Sequence, residues 1–247
     1  YGYWLDDLAH GSLGDSFRQR APVRDLVLER LPITLKLATY AFLLSMIISI
    51  PLGILSALRR NSWVDVGASF FSLIGASSPV FFTSILLILI FGYKLRWMPA
   101  LGQGSGGFDT FKHLTLPAIA LGLSLAAITT RITRNGMIEA LSQDYMVTAR
   151  AKGLDEKTVV RRHAIRAGII PVLSFTGPAL AGLLAGTVVV ERVFAIPGLG
   201  NIFIQSVLNR DETLTLGIVA FLSIFIMIFN LAVDVSYKFF DPRIRFE

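Results

Sequence analysis

Residues 137–172 read MIEALSQDYMVTARAKGLDEKTVVRRHAIRAGIIPV, the longest polar stretch in an otherwise oily chain. Long apolar runs flank it on both sides. The 247 residues are 53% hydrophobic and only 16% charged, whereas an ordinary soluble domain carries about 25% charged residues. The charges are also segregated, which places the chain among polytopic helical membrane proteins. An outer-membrane barrel is disfavoured, because its strands alternate in pieces of about 10 residues. The polar stretch is therefore the part that leaves the bilayer to touch something else.

Working outward from it, the sequence predicts five transmembrane helices. They run over about 33–58, 66–93, 114–132, 168–190 and 214–235. Pro32 suits the first helical turn, where its missing N–H costs nothing. Pro51 and Gly53 predict a kink in the first span. Pro79, beside Ser77 and Ser78, predicts a bend or break in the second. The fourth span carries Gly177, Pro178, Gly182 and Gly186, small residues that let helices approach closely. Residues 1–32 read as an external segment with a short amphipathic helix over 23–31, leaving 33–247 as the transmembrane domain. The loop 95–112 is rich in glycine, and Ala195–Gly200, AIPGLG, is a turn signal.

Orientation comes from the cations. Arg131, Arg134, Arg150, Lys152, Lys157, Arg161, Arg162 and Arg166 lie between the third and fourth spans. Arg59 and Arg60 follow the first span; Lys238, Arg243 and Arg245 follow the fifth. Five alternating spans put all three groups on one side, which the positive-inside rule makes cytoplasmic. The N-terminus then lies outside, and a sixth, upstream span in the full gene product would bring both ends inside. The net charge of +6 and pI of about 9.8 are explained by these loops and by anionic lipid, with no call for nucleic acid.

Little in the chain suggests chemistry. Cysteine is absent, which removes thiol nucleophiles and thiolate metal sites. No phosphate-binding loop of the G-x-x-x-x-G-K-[ST] type occurs. His10, His113 and His163 fall in separate loops. Asn230 and Asp234 are polar residues in the fifth span, the first suited to an interhelical hydrogen bond and the second to pairing near the interface. The chain is thus not read as an enzyme, and no cofactor or metal of its own is expected. If it transports, the energy must come from a partner or an ion gradient.

Within the central loop, Ala149, Arg150, Ala151 and Lys152 favour helix. Gly153 stops it, since glycine takes positive φ cheaply, and Asp155 caps a second helix over 156–165. Leu154, Val159 and Val160 are expected on the exposed surface, between Lys157, Arg161 and Arg162. Such a piece suits either a groove on another protein or an anionic lipid surface.

The stretch DYMVTARAKGLDEKTVVRRHAIRAGIIPV resembles the cytoplasmic loop of the permease subunits of ATP-binding-cassette importers. Aligned on Gly153, Ala149 and Ile165 follow that family's pattern, while Val147 and Arg166 stand where it has Glu and Pro. ERLPITLKLA (29–38), VVVERVFAIPGLG (188–200) and DPRIR (241–245) point to the dipeptide, oligopeptide and nickel branch, and to the first of its two paired permeases. The resemblance implies the type I importer permease fold and a multi-pass place in a bacterial or archaeal cytoplasmic membrane. It implies a translocation path shared with a paralogous permease, one or two ATPase subunits that would hold the ATP and Mg, and an extracytoplasmic substrate-binding protein. The loop 137–167 would hold the coupling helix, with Ala149, Gly153, Leu154, Asp155, Glu156, Lys157, Val159 and Arg161 meeting the ATPase. The competing reading is a stand-alone secondary transporter or channel. It would place broken-helix ion sites near Pro79 or Gly177–Pro178.

Overall fold

The computed structural model describes residues 13–240, the side chains of 229 and 232–240 excepted. Apart from one short antiparallel pair, β1 (Asp15–Ser16) with β2 (Ala21–Pro22), all regular structure is helical. The helices are α1 (Val23–Leu58), α2 (Trp63–Ser77), α3 (Val80–Leu87), α4 (Gly107–Leu141), α5 (Asp144–Ala151), α6 (Glu156–Thr158), α7 (Ile165–Gly168), α8 (Ile170–Val193), α9 (Leu199–Leu208) and α10 (Glu212–Phe240). Two π-helical turns, Ile88–Lys94 and Val159–Ala164, extend α3 and α6.

The number of spans differs from five. Among the described residues, three helices are long and apolar enough to cross a membrane: α1, α4 and α8. A fourth is reached only if α2 and the 80–94 helix count as one broken span, and these are bent by 107°. Proline is the cause. Pro79 has no N–H to donate and pushes the residue before it out of the helical region; Ser78 is extended at φ −80°, ψ 123°. The last apolar stretch, Glu212–Ile228, is too short among the described residues to qualify, since a bilayer core takes about 20 helical residues. Alternation therefore no longer fixes the side of the basic tail.

Two further boundaries move. The short helix expected over 23–31 is the first part of α1, which passes through Pro32 and Pro51 as one helix. The third span grows to 35 residues with Pro117 inside it. The segment 241–245, which carries DPRIR, and residues 1–12 lie outside the described residues.

The chain forms two compact units. One holds 13–41, 80–121 and 180–232; the other holds 42–79, 122–179 and 233–240. The first unit has a core of Val23, Leu26, Val27, Leu199, Ile202, Leu214 and Ile218. The second is built around Ala57, Met137, Met146, Ala149, Val159 and Ala164. That second core is the one that carries the central loop.

Candidate functional site

The central loop folds as a hairpin of short helices. Helix α5 ends at Lys152, and Gly153 takes φ +80°, which a side chain would disfavour. Asp155 then caps α6: its carboxylate accepts from the Thr158 N–H at 3.3 Å. The Thr158 hydrogen bond is the first reason that its carboxyl lies below the ordinary value. Arg150 donates to Glu156 through Nε at 3.0 Å and Nη2 at 2.8 Å, tying the two legs together in solvent. That pairing lowers the Glu156 carboxyl and raises the Arg150 guanidinium. The punctuation at Gly153 and Asp155 is as the sequence predicts.

The faces of the hairpin are not. Val159, expected at the surface, is 0% exposed. It packs with Ala149 against Met137, Met146 and Ala57, and Val160 is only partly buried against the same cluster. The reason is that the two legs fold on one another: Val159 lies in one cluster with Met146 and Ala149 of the first leg, so its apolar side is used inside the hairpin. The outer face is instead Tyr145 (44% exposed), Val147 (63%) and Leu154 (41%). Asp155, Glu156, Lys157 and Arg161 are exposed as well. Tyr145 and Val147 escape sequence reading because α5 looks uniformly helical and its buried side is set by Met146 and Ala149.

One turn before Met137 on α4 is an ion pair with a buried carboxylate and a partly exposed guanidinium. Asp65, near the start of α2, receives Arg134 Nε at 2.6 Å and Nη2 at 2.9 Å. The Ser56 hydroxyl at 2.7 Å and the Asn61 N–H at 3.0 Å complete its shell. The carboxylate is thus paired and fully hydrogen-bonded, the condition under which a buried charge is tolerated. This clamp joins the turn after α1 to the lower part of α4, and it puts that basic turn at the same end as the hairpin. Asp65 escapes sequence reading because its partner lies 69 residues away.

One backbone contact holds the return leg. A Cβ on Gly136 of α4 would lie 2.4 Å from the Gly168 carbonyl oxygen, and one on Gly168 would lie 3.0 Å from the Met137 Cα. Only two glycines allow the chains to approach so closely.

In the other unit the stretches 29–38 and 188–200 meet each other. Thr34 donates to Glu191 Oε1 at 2.6 Å and accepts from the Leu199 N–H at 2.9 Å. Glu191 Oε2 accepts from the Asn201 N–H at 3.1 Å. Residues 29–38 and 188–200 are thereby tied, with Glu191 and Thr34 satisfying the free N–H groups at the start of α9. Ala195, at φ 52°, makes the turn inside AIPGLG.

The remaining candidates are scattered. Pro79 marks the break between α2 and α3, and Gly177 and Pro178 lie within α8. The Asn230 Oδ1 is buried with no hydrogen-bond partner among the described residues, so the interhelical bond expected of it is not made there. The side chain of Asp234 lies outside the described residues.

Three comparisons with known proteins bear on this arrangement. The family model for the binding-protein-dependent transport system inner membrane component matches residues 49–246. The oligopeptide transport system permease protein OppB of Salmonella typhimurium is 38% identical over 247 residues, covering 100% of this chain and 80% of that protein. A putative peptide transport system permease protein of Brucella abortus is 37% identical over 249 residues, covering 100% and 79%. Among solved structures, a chain of the inward-facing MetNI methionine ABC transporter has the same fold, with a TM-score of 0.71 at 17% identity, over 87% of this chain and 96% of that one. An amino acid ABC transporter gives a TM-score of 0.64 at 21% identity, over 87% and 94%.

Proposed function

The chain belongs to the family of binding-protein-dependent transport system inner membrane components, and from that premise we propose that its cargo is a peptide and its drive enters through the 144–166 hairpin. It is a multi-pass permease subunit of an ATP-binding-cassette importer, forms part of the translocation path and hydrolyses no ATP itself. Members of this family work with a paired permease, ATPase components and a substrate-binding protein. The peptide reading draws support from the relatives, whose names specify oligopeptide and peptide transport.

The observation that carries the coupling reading is the hairpin's division of labour. Its inner face is built into a buried core and backed by the Asp65–Arg134 clamp. Its outer face presents Leu154, Asp155, Glu156 and Lys157, joined by Tyr145 and Val147. Such a piece moves as one body with α4 when a partner pushes it. Ala149 and Val159 are mounting residues rather than contacts with the ATPase. The outer apolar patch stands where the family's Glu is replaced by Val147, so docking here is more apolar.

The test is charge reversal at the tip. With Asp155→Lys in the assembled importer, peptide uptake falls at least about tenfold while the subunits still co-purify. ATP hydrolysis no longer responds to cargo-loaded binding protein. Uptake and stimulation at wild-type levels would refute the assignment.

A further inference from the structure

The return leg of the hairpin borders a groove of about 980 Å³. Arg161, Arg162, Arg166 and His163 line it together with Ile165, Ile170 and Tyr145. Among the described residues, none of these three arginines has a carboxylate partner. The contrast within the same unit is sharp: Arg134 and Arg150 are each held by two oxygens of an acid. Three unpaired guanidiniums within six residues repel one another, and an anion in the groove relieves that repulsion.

We propose that this groove binds the headgroup of an anionic phospholipid. The choice of lipid over an acidic protein surface rests on where the groove lies and what else lines it. Ile170 is the first residue of α8, a span only a third of whose apolar window is covered by this chain. The groove is therefore at the foot of a membrane helix. Ile165 and Ile170 add apolar lining that an acyl chain needs and a protein carboxylate does not. Arginine forks suit phosphate oxygens, and a tyrosine in the lining suits the interface between headgroup and hydrocarbon. Basic pockets beside membrane helices on the cytoplasmic side take anionic headgroups for these reasons. The assignment adds a structural role for Arg161, distinct from contact with the ATPase.

The experiment uses the whole importer, wild type against Arg161→Gln/Arg162→Gln/Arg166→Gln, in nanodiscs of phosphatidylcholine with or without phosphatidylglycerol. After gentle extraction, native mass spectrometry counts the phosphatidylglycerol retained, without ATP or cargo. The wild type retains at least one molecule, and the triple Gln variant retains it about tenfold less. The triple Arg→Lys variant keeps most of it and controls for folding. Equal retention by wild type and the Gln variant overturns the proposal. So does loss of the ATPase subunit from the Gln variant in pure phosphatidylcholine, which would mean that the arginines face acidic protein. Because this readout needs no transport, it stands or falls separately from the coupling assignment.

Discussion

Two buried carboxylates, one in each unit, are stabilised in opposite ways. Asp65 meets a full positive charge, the guanidinium of Arg134, in a two-point contact. Glu191 meets only neutral donors: the Thr34 hydroxyl and the backbone at the start of α9. The first arrangement joins α2 to α4 through a pair of side chains, with the Asn61 N–H as the one backbone donor named in its shell, so it survives a shift of both helices together. The second uses the fixed backbone of a turn, and it holds only while that turn keeps its shape. The unit with the ion pair is the one that carries the hairpin; the unit with the neutral shell carries the turn at 195–200.

The comparison is most easily broken at Arg134. Arg134→Ala leaves Asp65 buried without its cation, and removing one partner of a buried pair costs about 3 kcal/mol or more. Thermal unfolding of the detergent-solubilised importer should show a clear loss of stability. The double variant Asp65→Ala/Arg134→Ala should recover part of it, because no lone charge remains. Strictly additive losses would show that the pair does not act as a unit.

Glu191 should cost less. Glu191→Gln keeps an acceptor for the Asn201 N–H but faces Thr34 with a second donor, a loss of about 1–2 kcal/mol. The same melting experiment reads it. A loss larger than that of Arg134→Ala would reverse the ranking of the two shells.

The smallest effect sharpens the comparison, because it repeats the ion-pair geometry in water. Glu156 and Arg150 are bonded at two points like Asp65 and Arg134, yet both are exposed. Exposed pairs contribute little. The folded-state value of Glu156 is lowered, as is that of Asp155. Their contribution is therefore present above the ordinary carboxylate value and is lost as pH falls through the lowered values. Hydrogen exchange at the Thr158 amide should quicken relative to the Val172 amide as pH drops through that range, after correction for intrinsic rates. A constant ratio would mean that the cap does not depend on ionised Asp155.

These carboxylates also show what the sequence makes legible. Gly153 and Asp155 announce themselves, since each acts on its immediate neighbours. Asp65 does not: it looks like one stray acid at the head of an apolar run, and its pairing depends on a residue two helices later. A lone acid near one span's end and a lone arginine near another's were the available signal. Val159 escapes because an apolar residue on a loop reads the same whether it serves a partner or the loop's own core, and here it packs with Met146 and Ala149 across the hairpin. The span count failed at Pro79 for a similar reason: proline marks a break, but its angle is set by packing. Helix type, the hairpin and the basic end were readable, because composition and local geometry govern them.

The contact between Gly136 and Gly168 separates two things that evolution could otherwise not change independently. The tilt of the hairpin on its helix is fixed there by main-chain atoms, which no exchange of side chains at the tip can alter. Tyr145, Val147 and Leu154 are left free to vary. A change of partner can thus be made one surface residue at a time, with the angle of the lever inherited unchanged.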